Sequence, residues 1–312
     1  MKLSGKDLLS LHDLTPEEFS SVLDHADAMK ANPGHFARSL ERKTLAMIFE
    51  KPSLRTRVTF ETGMTQMGGH AIYLAPSDIS LGARESIPDV ARNLERMVDL
   101  IMARTFRHDS VVQLARNSRI PVINALSDYS HPCQALADFQ TLRELQGDLR
   151  SVRICYVGDG NNVCHSLLFA AAKSGATLRV ACPPGYEPLD EVVDLARQDA
   201  EKTGATLQIG CDPAEGVRGA TAVYTDVWAS MGQEAETEAR AKIFRPYQVN
   251  DTLMALSAPG AHFLHCLPAH RGWEVTDSVA DSPASVMFQQ AENRLHAQKA
   301  VLLMLAGREK LS

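Results

Sequence analysis

Five segments of this sequence concentrate side chains suited to binding charge or polarising a carbonyl. The first is Ser53-Leu54-Arg55-Thr56-Arg57, behind Glu50-Lys51-Pro52. Ser53 is a good N-cap, and a helix start offers N–H groups and the positive end of its dipole to an anion. Arg55 and Arg57 in that turn oppose the dipole, at roughly a few tenths of a kcal/mol each. A phosphate accepting forked guanidinium bonds would offset that cost; a solvated basic turn is the plain alternative. The second is Ser130-His131-Pro132-Cys133-Gln134. Pro132 suits a first helical turn and pushes His131 out of the helical region, leaving an imidazole and the Gln134 amide near one helix mouth. Such a pair suits a carbonyl and an amino group, although a capping turn explains it equally well.

The third segment, Gly158-Asp159-Gly160-Asn161-Asn162-Val163, opens like a dinucleotide fingerprint. Val163 stands where the third glycine belongs, and the next strand runs into Cys182-Pro183-Pro184 with no acid for a ribose. A nicotinamide-dependent oxidoreductase therefore fails on two counts, and a tight turn presenting Asn161 or Asn162 remains. The fourth, Asp226-Val227-Trp228-Ala229-Ser230-Met231-Gly232, offers an acid for an ammonium group and a loop for a carboxylate; an ordinary acidic cap is the alternative. The fifth is His265-Cys266-Leu267-Pro268. A zinc site using His262, His265, Cys266 and His270 lacks the usual ligand spacing, and no metal is expected. A Cys/His nucleophile pair needs proximity that sequence cannot supply. Glu292-Asn293-Arg294 opens the last helix, and no P-loop, GxSxG or HExxH occurs.

The elements that must position these residues alternate strand and helix, the pattern of parallel α/β architecture. Strands are expected at residues 45–49, 71–74, 100–103 and 121–124, then 153–157, 177–181, 206–209, 222–225 and 262–265. Helices are expected over 16–30, 53–67, 87–98, 110–117, 131–145, 164–173 and 290–305. The chemically loaded segments mostly follow strands, where parallel sheets bind ligands. The fold expected is α/β with two domains, each a mostly parallel sheet flanked by helices, and an active site in the interdomain cleft. The domains would be residues 1–147 and 148–312, with the last helix (about 290–306) packing back on the first.

Composition bounds the rest. The 312 residues are 45% hydrophobic and 22% charged, ordinary for a globular chain of two domains. A net charge of −6 argues against a nucleic-acid partner, which calls for a basic stripe. No apolar run approaches the roughly 18 residues a membrane span needs. The six cysteines are scattered without a CxxC pair and read as free thiols of a cytoplasmic protein.

Together these segments resemble the aspartate/ornithine carbamoyltransferase family. Ser53-x-Arg55-Thr56-Arg57 is similar to its carbamoyl-phosphate motif and His131-Pro132-x-Gln134 to its second motif. Gly158-Asp159-Gly160-Asn161-Asn162, Asp226-x-Trp228-x-Ser230-Met231-Gly232 and His265-Cys266-Leu267-Pro268 narrow the resemblance to the ornithine branch, and it continues through Ala291-Glu292-Asn293-Arg294. The resemblance implies transfer of a carbamoyl group from carbamoyl phosphate to the side-chain amine of L-ornithine, giving L-citrulline and phosphate without a cofactor.

By the same resemblance Ser53, Leu54, Arg55, Thr56 and Arg104 cradle the phosphate. His131, Gln134 and Arg104 surround the carbamoyl group, with Cys266, Leu267 and Arg294 closing its other side. Asn162, Asp226, Ser230 and Met231 hold ornithine, and Cys266, His131 and Arg104 are the catalytic candidates. A homo-oligomer is implied, a trimer with sites near subunit interfaces. Ser80 departs from the pattern, standing where the family often has a glutamine before Leu81-Gly82.

Overall fold

A computed structural model of the protein describes residue 3 and residues 6–229 and 236–306. The chain forms two compact units: one holds the described residues up to Gln140 and from Asn293 on, the other runs Thr141–Glu292.

Unit 1 carries strands β1 (Thr44–Phe49), β2 (His70–Leu74), β3 (Leu100–Arg104) and β4 (Val122–Leu126). They form one parallel sheet in the order β2-β1-β3-β4. Its helices are α1 (Pro16–Ala31), α2 (Leu54–Gln66), α3 (Pro76–Ile79), α4 (Ile87–Leu94), α5 (His108–Arg116) and α6 (Pro132–Gln146). β1 and β3 are almost wholly buried, the burial expected of a parallel sheet's inner strands. Ile48, Ile101, Ala103 and Val122 pack against Val90, Val111 and Leu114 of α4 and α5.

Unit 2 carries β5 (Arg153–Val157), β6 (Thr177–Ala181), β7 (Thr206–Gly210), β8 (Ala222–Thr225) and β9 (His262–His265), again all parallel, in the order β7-β6-β5-β8-β9. Its helices are α7 (Asn162–Ser174), α8 (Asp190–Ala200), α9 (Pro213–Val217), α10 (Thr237–Phe244), α11 (Asp251–Met254) and α12 (Asp277–Ala280). The last helix, α13, spans Met287–Leu305. No described helix is long and apolar enough to cross a membrane.

The expected α/β class, with two parallel sheets flanked by helices, is the observed one. Differences are local. α4 stops at Leu94 rather than 98, where Glu95, Arg96, Met97 and Val98 close turns onto the helix end. α7 starts two residues earlier than expected because Asn161, not a later residue, caps it. α8 through α12 were not singled out in the sequence; most are short and sit among Gly, Pro and charged residues that blur the helical period.

In both units the strand order reverses at one point: between β1 and β3 in unit 1, between β5 and β8 in unit 2. Such switch points leave a crevice outside the carboxyl ends of the strands, where the connections diverge. The loaded segments lie there, in two separate groups.

Candidate functional site

The unit 1 group is built on the ends of β1 and β3. Pro52 follows β1, and Ser53, extended at φ −158°, caps α2 by accepting the Thr56 N–H at 3.4 Å. The Leu54 side chain is 75% exposed, so what Leu54 offers at the helix mouth is main chain. Arg57 turns away: its guanidinium stacks 3.8 Å from the Tyr73 ring centroid and bonds Glu61 at 2.9 Å. It braces α2 against β2. Arg104 ends β3, where the pairing register with β4 shifts, and is buried.

His131 precedes α6, and its carbonyl accepts the N–H groups of Gln134 and Ala135 at 3.1 and 3.3 Å. A tight turn holds it there, with Ser127 N–H donating to the Ser130 carbonyl at 3.0 Å. The Asn124 amide ties the same carbonyl to the main chain of Leu9. Burial, then the neighbouring charges of Arg294, Arg104 and Arg55, hold the His131 pKa well below the ordinary imidazole value. His131 is therefore a neutral imidazole at working pH, able to donate one N–H without carrying charge.

Arg294, on α13, is buried among neutral oxygens. It donates to Gln134 Oε1 at 2.7 Å, Gln298 Oε1 at 3.0 Å and Thr56 Oγ1 at 3.4 Å. Gln134 in turn donates to Asp138 at 2.8 Å. Ser53, Leu54, Arg55, Thr56, Arg104, His131, Gln134 and Arg294 thus all belong to unit 1, with three guanidinium groups near one neutral imidazole.

The unit 2 group is built on the ends of β5, β8 and β9. Gly158 takes φ +142°, and a Cβ on Gly160 would lie 2.2 Å from Pro188 N, so both positions require glycine. The turn delivers Asn161, whose Oδ1 caps α7 through the N–H groups of Val163 and Cys164 at 3.0 and 3.2 Å. Its Nδ2 donates to Asp226 Oδ2 at 2.9 Å. The other carboxylate oxygen, Oδ1, accepts the Cys266 thiol at 2.9 Å and the Val227 N–H at 2.8 Å. Leu267 sits at φ +59°, a left-handed conformation that costs a leucine roughly 1 kcal/mol. Its N–H donates to His265 Nδ1 at 2.8 Å, which fixes the turn after β9.

Beside this cluster Asp159 and Arg240 form a buried pair at 3.1 Å. Arg240 also donates to the Trp228 carbonyl at 3.0 Å and lies over the Tyr186 ring, binding the β5 turn to the segment after β8. Burial outweighs the Arg240 charge, and the Asp159 carboxyl is pushed up to about 6.

Asp226, His265 and Cys266 each bring one possible metal-ligand atom within 4.8 Å of the others. Both ring nitrogens of His265 already serve the fold, Nδ1 through Leu267 and Nε2 through Glu274 at 3.1 Å. The donor set is a poor match to a tetrahedral site, which wants a third free side-chain ligand.

Asn162, Asp226, Cys266 and Leu267 therefore lie in unit 2, while Ser230 and Met231 fall outside the described residues. The sequence singles out Asn162, whereas the structure sets Asn161 against Asp226; the Asp159–Arg240 pair and Gln298 are not among the residues expected from sequence. Asn161 was readable as the cap of α7. Arg240 and Gln298 carry no motif, because their roles depend on contacts across 81 and 239 residues of chain.

Comparison with known proteins supplies the class. Residues 6–144 match the model of the aspartate/ornithine carbamoyltransferase carbamoyl-P binding domain, and residues 150–305 match that of the Asp/Orn binding domain. The chain belongs to the aspartate/ornithine carbamoyltransferase family. It is 54% identical to an ornithine carbamoyltransferase from Pyrococcus abyssi, over 98% of each chain. One from Bacillus subtilis is 50% identical, over 96% of this chain and 93% of that one. Among solved structures, an ornithine carbamoyltransferase from Pyrococcus furiosus superposes with a TM-score of 0.96 at 54% identity, covering 99% of this chain and 100% of that one. One from Thermus thermophilus gives 0.85 at 47% identity, over 95% and 97%.

Proposed function

We propose that this protein is an ornithine carbamoyltransferase, transferring the carbamoyl group of carbamoyl phosphate to the side-chain amine of L-ornithine to give L-citrulline and phosphate. The observation that carries the reading is the division of charge between two switch points, one rich in arginine and one in carboxylate. A relative from Pyrococcus furiosus is described as anabolic, which favours citrulline synthesis and a role in arginine biosynthesis.

Carbamoyl phosphate is assigned to unit 1. Ser53, Leu54, Arg55 and Thr56 at the start of α2 suit the phosphate, by N–H groups, hydroxyls and guanidinium charge. His131 and Arg104 suit the carbamoyl oxygen: donors set in advance where negative charge develops contribute most to such a step. Gln134 has both amide ends engaged by Arg294 and Asp138, yet each end keeps one further hydrogen-bonding position for the carbamoyl group. Ornithine is assigned to unit 2, with Asp226 for an ammonium group and Asn162, Ser230 and Met231 for the remaining polar groups. Cys266 and Leu267 are assigned to the reacting end.

The nucleophile must be the neutral amine. A lysine-like amine has a pKa of about 10.4, so it loses its proton only where the surroundings disfavour the charge. Nitrogen attacks the carbonyl carbon, the carbonyl electrons move onto oxygen, and the bond to the phosphate oxygen then breaks as the amine's proton leaves. The reading includes a cytoplasmic homo-oligomer, a trimer by resemblance to the family. Leu54, Val58 and Ile72 expose apolar surface that such an interface would cover, and sedimentation at about three chain masses would check it. The direct experiment is citrulline formation by the purified protein with ornithine, putrescine and an acylated ornithine. Ornithine should exceed both others by at least tenfold; preference for either of them would replace the reading.

A further inference from the structure

Arg294 is the member of the unit 1 group that arrives from α13, and its side chain does not hold itself in place. A guanidinium is planar, so fixing its Nε–H and one terminal N–H fixes the directions of all its remaining donors. Gln134 fixes one terminal nitrogen at 2.7 Å. The Nε–H is fixed by Gln298, one turn further along α13, whose Oε1 accepts it at 3.0 Å. That same oxygen lies 3.1 Å from Thr59 Oγ1, whose single hydroxyl hydrogen has two acceptors in reach, this oxygen and the Arg55 carbonyl at 2.6 Å. Gln298 therefore joins Arg294 to α2, the helix that carries Arg55.

A second observation separates this from space-filling. Gln298 is 0% exposed, and its Nε2 has no hydrogen-bond partner among the described residues. Turning the amide over would let its NH₂ donate to Thr59 Oγ1 but would set it against the Arg294 Nε–H, donor against donor, the costlier arrangement because Arg294 is charged. An unmade hydrogen bond at a buried group is destabilising, and an apolar side chain of similar shape would avoid it. The glutamine is retained at that cost for its carbonyl oxygen.

We propose that Gln298 is a positioning residue that orients the Arg294 guanidinium toward carbamoyl phosphate. The proposal rests on the assignment of Arg294 to that substrate. It acts through Arg294, so its effect must vanish when Arg294 is absent.

The test compares Gln298→Met, Arg294→Gln and the double variant in the full-length protein, by citrulline formation at saturating ornithine and varied carbamoyl phosphate. Gln298→Met should lower kcat/KM for carbamoyl phosphate at least tenfold and leave the ornithine KM within twofold. Its melting temperature should fall by only a few degrees, since the orphaned Nε2 is removed while the Arg294 Nε–H loses its acceptor. Adding Gln298→Met to Arg294→Gln should change kcat/KM less than twofold. Should the methionine variant fail to fold, Gln298→Asn keeps the amide but withdraws the carbonyl by one methylene, and should lose at least fivefold.

If Arg294→Gln is crippled while Gln298→Met (or Gln298→Asn) stays within twofold of the parent, the positioning role is wrong. Equal losses from Gln298→Met in both backgrounds would also overturn it, marking a structural residue. If Arg294→Gln itself stays within twofold, the substrate assignment has failed, and the positioning role falls with it.

Discussion

At the switch point of unit 1, Arg55, Arg104 and Arg294 surround an imidazole that burial and those same charges keep neutral. At the switch point of unit 2, Asp226 lies beside a thiol and Asn161, and Arg240 is shared between the carboxylates of Asp159 and Glu236. Both sheets are parallel, and both place their loaded loops beyond the strands' carboxyl ends. The architecture offers a crevice in each case; the side chains alone decide whether it suits a dianion or an amine. Net charge conceals this: −6 is a sum over the whole chain and carries no record of where its charges gather.

The comparison breaks first at Arg55. On the proposed assignment Arg55→Ala removes a charged phosphate contact and should lower kcat/KM for carbamoyl phosphate by about 10²–10³, on the scale of losing one preorganised charge-stabilising donor. Steady-state kinetics with varied carbamoyl phosphate would measure it, and a loss under fivefold would detach Arg55 from the phosphate. Asp226→Asn should raise the ornithine KM by about tenfold to a hundredfold, since a neutral acceptor replaces a charged one. Its carbamoyl-phosphate KM should stay within a few-fold of the parent.

The amine sharpens the contrast through pH. At subsaturating ornithine the rate should climb about tenfold per unit above pH 6, as the neutral amine becomes available, and level off where a group of the complex takes over. A chemical step independent of pH between about 6 and 9 would contradict a protonated ground-state amine.

The smallest expected effect concerns Asp159. Its carboxyl, pushed up to about 6 by burial, takes a proton as pH falls through that value. Arg240 keeps the Glu236 carboxylate at 3.0 Å but loses the charge of Asp159, which weakens the tie between the β5 turn and the Trp228 segment. The ornithine KM should rise about threefold to tenfold from pH 7 to pH 5, the scale of one buried ion pair's partial loss. Above pH 7 Asp159 should add no further change of its own. Asp159→Asn should show the raised KM throughout, without the inflection; an inflection that survives the substitution belongs to another group.

The sequence exposed what is local. Strands at 153–157, 177–181, 222–225 and 262–265 were legible to the residue because buried parallel strands are short apolar runs bounded by turn residues. Ser53 and Pro132 marked their helix starts, since caps depend on neighbours in sequence. Asn161 was half legible: the cap could be read, but its bond to Asp226, 65 residues on, could not. Arg240 was invisible, a plain arginine until folding buries it against Asp159; the spacing of Gln298 one turn after Arg294 was readable, but its burial against Thr59 of α2 was not. Residues that touch a ligand recur in recognisable strings; residues that aim them are identified by contacts between distant segments.

The central claim is that each switch point serves one substrate, and the most direct test is to measure both KM values in Arg55→Ala and Asp226→Asn side by side. The account predicts a crossed pattern: Arg55→Ala loses carbamoyl phosphate and keeps ornithine, while Asp226→Asn loses ornithine and keeps carbamoyl phosphate. Interchangeable defects, with both variants losing the same substrate, would contradict it.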